Sequence, residues 1–260
     1  MKPFYSVNFN ARMCNMKISV NEIPLLSMDV EGQCSTRYPF NNLLLESGFA
    51  SIRYEVRPMK GEMQLRKNAY LSCEVELFDS DSGYEPISKM AFFETPQQNG
   101  NDPIIILPYI IHEDAFHVEV PYSLTGWKRS VKLNPFRNNL GNMVFEKYGD
   151  IISMMQNHNF SQYENAFRER ENNMAVCFYL SENEKQNRMK EIEHDIVNCT
   201  EIVPLTQLDR LEFAADNRLV RLIKDDGESS LRLVNDKTGE ETYIELWLHM
   251  KQGSNELTII

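Results

Sequence analysis

Apolar and polar positions alternate with a period of two through the first half of the chain. Residues 16–20 read as a strand followed by the turn Asn21-Glu22. Residues 52–56 alternate Ile, Tyr and Val with Arg and Glu, and residues 69–78 set Leu71, Cys73, Val75 and Leu77 against Ser72, Glu74 and Glu76. A period of two places alternate side chains on opposite faces of a pleated strand, so this is β material with one buried face. Turn residues at 47–48, 58–61 and 79–83 separate the strands, because Gly, Pro, Asn and Asp favour chain reversal. Short strands at this spacing predict an antiparallel β-sandwich over residues 1–125.

The period changes near residue 144. Phe145, Tyr148, Ile151, Ile152 and Met155 recur three and four apart, the stripe of an amphipathic helix. A second helix is expected after Asn159, with Ser161 as its cap and Phe160, Tyr163, Phe167, Met174 and Phe178 inward. A third is expected after Ser181, where Glu184 stands at capping-box spacing, with Met189, Ile192 and Ile196 inward and an end at Asn198. Period two then returns at 211–214, 219–223, 230–234, 241–250 and 256–260, joined by turns rich in Asn, Asp and Gly. Three helices packed on one face of an antiparallel sheet make this half α+β. The expected organisation is therefore a sandwich over 1–125, a linker over 126–142 containing 134–141, and an α+β domain over 143–260.

One stretch carries a resemblance. Ile18-Ser-Val20-Asn21-Glu22-Ile23-Pro24, then Tyr38-Pro-Phe40, then Leu43-Leu-Leu-Glu-Ser-Gly48 leading into Ile52-Arg-Tyr-Glu-Val56, resembles the jelly-roll β-sandwiches that accompany many glycosidases. The resemblance implies a shared fold. Glu22 stands where that family has a turn Gly, and Phe49-Ala50 where it has Lys/Glu-Asn, so sugar binding is not carried over with the fold. The second half, three helices followed by a meander, is similar in topology to nuclear-transport-factor-like cones.

Charge separates the halves further. From Met143 onward there are 13 Lys/Arg against 22 Asp/Glu, and before it 14 against 16, within a formal net charge of −11. An acidic domain repels phosphate backbones and anionic membranes and attracts a basic protein. Nucleic-acid and membrane partners are therefore not expected. The densest basic cluster, Lys128, Arg129, Lys132 and Arg137 with Trp127 and Phe136, reads as a solvated linker. The N-terminus has no continuous apolar leader segment. The longest apolar run, residues 104–111, carries Pro108 in its middle and is expected to be a buried strand or turn. Five cysteines without CxxC spacing fit reduced thiols and a cytoplasmic location.

Candidate chemistry is sparse. His112 and His117 lie five apart in His-Glu-Asp-Ala-Phe-His, which puts them on opposite faces of a strand and predicts a turn between strands rather than a metal site. Asp79 to Gly83 lacks the later ligands of a calcium loop, since Tyr84 and Met90 occupy the deciding positions, and reads as a hairpin turn. No cofactor, metal site, nucleophile elbow or phosphate loop is expected. The best pocket candidate is Tyr243, Glu245, Trp247 and His249, which share one face of the strand expected at 241–250 while Ile244, Leu246, Leu248 and Met250 share the other. His249 and Glu245 could serve acid/base catalysis in a lyase, isomerase or hydrolase, with Tyr243 and Trp247 as walls. That enzyme is the alternative; the preferred reading is a non-catalytic cytoplasmic binding protein of the immunity or escort type, which uses Tyr243, Trp247 and the carboxylates Glu191, Asp195, Asp225, Asp226, Glu228, Glu240 and Glu241 to receive a basic protein.

Overall fold

Strand β1 (Pro3–Val20) runs for 18 residues and keeps one face buried throughout by changing phase once. Tyr5, Val7, Phe9 and Ala11 are buried, then Cys14, Met16, Ile18 and Val20. The odd-to-even switch falls at Met13, whose φ of 50° marks a bulge where the pairing with β2 (Ile23–Pro39) shifts register. Without the bulge, strict alternation would turn half of the apolar set to solvent. Gly32 lies across the irregularity at φ 110°, a conformation that side chains disfavour, and its N–H meets Met13 Sδ at 3.2 Å. The computed structural model describes residues 1–83, 85–96, 107–134 and 139–260.

The chain forms two compact units, Met1–Ser123 and Leu124–Ile260. Both are built largely from antiparallel sheets, and the second carries three helices, so the class is α+β. In the first unit β1 pairs with β2 along one edge. Along the other it pairs with β4 (Tyr70–Asp79) through residues 3–12 and with β3 (Gly48–Arg57) through residues 15–20. β5 (Ser88–Glu94) extends β4, and β6 (Ile110–Val118) extends β3. Two strands separate β3 from β5 in the sheet order, yet Tyr54 and Phe93 stack with centroids 5.0 Å apart. The sheet therefore curls on itself around the aromatic core.

Several expectations for this unit change. Residues 112–117 lie within β6 rather than in a turn, with His112 stacked on Phe93 and His117 edge-on to Phe49. In the run 104–111, Leu107, Tyr109 and Ile111 are exposed rather than buried, and residues 104–106 lie outside the described residues. Residues 96–103, PQQNGNDP, have the Pro, Gly and Asn content of a loop; of these, 97–103 lie outside the described residues too, as do Tyr84, Phe136 and Arg137.

In the second unit α1 (Leu140–Gln156), α2 (Phe160–Cys177) and α3 (Glu182–Asn198) form as the periodicity predicts. The α3 capping box is present: Glu184 N–H donates to Ser181 Oγ at 3.3 Å and Ser181 N–H to Glu184 Oε2 at 2.7 Å. The cap of α2 is Asn159 rather than Ser161, its side chain accepting from Gln162 N–H. Along α2 the buried stripe is Tyr163, Phe167, Glu171 and Cys177. Glu171 can occupy it because Arg170 and Arg188 hold its two oxygens at 2.8 and 2.7 Å. Residues in the expected linker are laced to this unit: Ser130 bridges Lys251, and Val131 N–H donates to Met250 C=O at 2.9 Å.

The strand expected at 241–250 is two strands in two sheets. β11 (Glu240–Tyr243) pairs with β10 (Arg232–Asn235), which also pairs with β7 (Glu201–Ile202). β12 (Leu248–Met250) pairs with β9 (Leu219–Ile223) and β13 (Leu257–Ile259), and β9 with β8 (Arg210–Ala214). Residues 244–247 cross between the sheets and leave backbone groups without regular ladder partners. The buried Tyr148 of α1 fills that gap, donating to Leu246 C=O at 2.7 Å and accepting from Leu222 N–H at 2.9 Å. Replacing Tyr148 by Phe keeps the ring and orphans both backbone groups. Tyr148→Phe should lower unfolding free energy by about 2–4 kcal/mol in urea titrations, and a loss below about 0.5 kcal/mol would reject the bridge.

Candidate functional site

The exposed side of the 244–247 crossing carries a row of arginines, aromatics and carboxylates. Ile244, Leu246 and Leu248 turn inward, leaving Tyr243, Glu245 and Trp247 outward or half-buried. Arg221 sits in β9 between the buried Val220 and Leu222 and so faces the other way. Its guanidinium lies 4.8 Å from the Trp247 ring centroid, pairs with Glu212 at 2.6 Å and pairs with Glu245. Burial pulls Arg221 down, but Glu245 and Glu212 outweigh it and hold the group above its ordinary value.

A second arginine repeats the arrangement one sheet over. Arg232 of β10 stands opposite Tyr243 of β11, 4.9 Å from its ring centroid. Both of its terminal nitrogens reach Asp226, at 2.6 and 2.7 Å, a fork matched to a carboxylate. The Arg232 guanidinium holds Asp226 below the usual carboxylate range. Tyr243 donates to Glu241 at 2.6 Å, and that bond first, with burial second, pushes its phenol up to about 12.

Glu228 differs from its neighbours. Among the described residues its carboxylate makes no ion pair or hydrogen bond, while Glu212, Glu245 and Asp226 each hold an arginine. It is half-buried, and burial first, then the charge of Glu245, pushes its pKa up. An anion in that state is stabilised by any cation brought to it.

The structure thus brings together Tyr243, Glu245, Trp247, Asp226, Glu228 and Glu241. Asp225 stands beside Asp226 and lies 3.9 Å from Arg210, and Glu240 accepts from Thr238 Oγ1 at 2.8 Å. Asp195 and Glu191 belong to α3. Asp195 accepts from Thr242 Oγ1 at 3.4 Å, and Thr242 alternates with Tyr243 to the other face of β11; Glu191 is exposed. His249 does not join the outward row. It is 1% exposed, with Nδ1 2.7 Å from Ser130 Oγ and, among the described residues, no partner for Nε2. The strap containing Ser130 covers the position that alternation alone would leave open. Arg221 and Arg232 are the residues of this cluster that sequence patterning missed; for Arg221, a lone Arg inside the apolar run Leu-Val-Arg-Leu-Ile was the available signal. Among the described residues no cluster of three or more His, Cys, Asp or Glu could hold a metal ion.

A groove of about 470 Å³ also runs between α2 and α3, lined by Glu164, Arg168, Lys185, Lys190 and Glu193. Both signs alternate along it, so it presents no dominant charge.

Burial holds the His249 imidazole below its ordinary value; Glu169 on α2 opposes this and Lys251, just past the end of β12, adds to it. The folded chain therefore binds this proton less readily than the unfolded chain, where histidine titrates near ~6.5. Its contribution to stability is present above the unfolded value and lost as pH falls from there through the lowered folded value. Urea midpoints followed from about pH 8 to about pH 5 should fall for the native sequence and fall less for His249→Gln; parallel curves would refute the assignment. Against this geometry, no family model, curated protein or solved structure matches the chain.

Proposed function

We propose that the chain is a non-catalytic binding protein whose C-terminal unit receives a basic protein, as an immunity-type inhibitor or escort does. The observation that carries this reading is Glu228, a half-buried carboxylate with no ion pair among the described residues, beside Glu212 and Glu245, which share Arg221, and Asp226, which holds Arg232. A lysine or arginine from a partner would supply the missing countercharge. Tyr243 and Trp247 flank the place with ring surface, and aromatic rings beside charged groups are favoured anchors at protein interfaces. Asp225, Glu240 and Glu241 extend negative charge along the β9–β10 turn and β11, where it speeds the encounter with a positive surface. No described helix is long and apolar enough to cross a membrane, and the five free cysteines support a reducing, cytoplasmic setting for the encounter.

A lysine-rich peptide titrated against the intact chain, with Trp247 fluorescence as one readout and calorimetry as the other, tests the reading. Glu228→Gln should weaken binding by ~10-fold, equivalent to about 1.4 kcal/mol, whereas Glu191→Gln on α3 should leave it unchanged. Raising salt should weaken the native complex, since exposed charges are screened beyond about 8–10 Å. Binding that is indifferent to both Glu228→Gln and salt would sink the proposal.

A further inference from the structure

The N-terminal unit holds a second polar cleft, of about 300 Å³, lined by Asn10, Arg12, Gln33, Tyr70 and Glu94. Strand register explains why these five converge. Arg12 of β1 stands opposite Gln33 of β2 on one side and Tyr70 of β4 on the other. Asn10, two residues earlier, stands opposite Ser35 and Ser72, and Ser72 opposite Glu94 of β5. Opposed residues, and residues two apart, project to one face of a sheet. Two adjacent polar rungs therefore lie side by side, one across three strands and one across four, while Phe9, Ala11, Leu71 and Cys73 fill the buried face behind them.

The side chains hold one another in place and leave specific atoms unused. Arg12 Nε donates to Asn68 C=O at 3.1 Å, and its guanidinium lies 5.7 Å from the Tyr70 ring centroid. Among the described residues no carboxylate pairs with Arg12, so its two terminal nitrogens remain as an open fork. Tyr70 donates to Glu94 Oε1 at 3.0 Å, which leaves Oε2. Gln33 Nε2 donates to Asn10 Oδ1 at 3.2 Å, which leaves Gln33 Oε1 as an acceptor and Asn10 Nδ2 as a donor. The cleft thus offers a planar cationic fork, a further donor and two acceptors.

We propose that this cleft binds a carboxylated sugar, a uronic acid residue. Its carboxylate would take the Arg12 fork bidentately, and its ring hydroxyls would donate to Glu94 and Gln33 and accept from Asn10. Sulfate or chloride has no hydroxyls to donate to the two acceptors. A neutral sugar leaves the fork unmatched. An apolar ligand finds the Tyr70 ring already beside a guanidinium. The site stands apart from the proposed protein-binding role and does not depend on it.

Calorimetry of the full chain with trimers of galacturonate and of glucuronate, and with neutral galactotriose, tests the assignment. At least one uronate trimer should bind, ~10-fold or more tighter than the neutral trimer. Arg12→Gln and Glu94→Gln should each weaken it by ~10-fold, and Arg12→Lys, which keeps the charge and loses the fork, should resemble Arg12→Gln. Arg12 and Glu94 are exposed, so thermal unfolding should show these variants folded. Glu228→Gln should bind the uronate normally, which separates this site from the protein-binding reading. No binding of either uronate trimer, equal binding of galactotriose, or uronate binding that survives Arg12→Gln would overturn the proposal.

Discussion

The second unit depends on one hydroxyl. Residues 244–247 leave the sheet shared by β10 and β11 and enter the one shared by β9 and β12, and a crossing of that kind exposes backbone amides that no strand can satisfy. In the unit's core such groups cost about 1–3 kcal/mol each if left unpaired. Tyr148 meets two of them with a single oxygen, and its ring simultaneously packs into the core that joins α1 to both sheets. The crossing, the helix position and the outward display of Tyr243, Glu245 and Trp247 are therefore one arrangement.

The same solution recurs at several other places where a ladder ends or is interrupted. Buried Asn41 accepts from Tyr5 N–H and donates to Pro3 C=O beside the first strand. Tyr5 Oη bonds both backbone groups of Glu119, and Ser47 Oγ both backbone groups of Val120. Ser229 Oγ donates to Ile244 C=O at the start of the sheet crossing. Polar side chains with two-way hydrogen-bonding capacity act as substitute rungs, which allows long strands to bend without leaving polar atoms orphaned.

Much of the secondary structure was legible because it rests on local rules. The period change near residue 144, the Ser181-Glu184 capping box and the end of α3 at Asn198 depend on residues within a turn or two of one another. The residues of β2 were missed because that strand lies at the sheet's edge, so over residues 31–38 both faces are largely exposed and no alternation marks it. Of the candidate site, Tyr243, Glu245 and Trp247 were legible as one face. Arg221 and Arg232 were not, because their importance comes from rings and carboxylates on other strands.

By itself the sequence determined the α+β class, the segregation of strands and helices, the acidic second half and the alternation that turns Leu246 inward and Trp247 outward. These follow from period, propensity and net charge, which are properties of neighbouring residues. Only the tertiary structure decided that 241–250 splits between two sheets, that His249 is buried under Ser130, and that Glu228 is half-buried with neither an ion pair nor a hydrogen bond to its carboxylate among the described residues. Each of these is a matter of which distant residues meet, and hydrogen bonding and burial are settled by that encounter rather than by position along the chain.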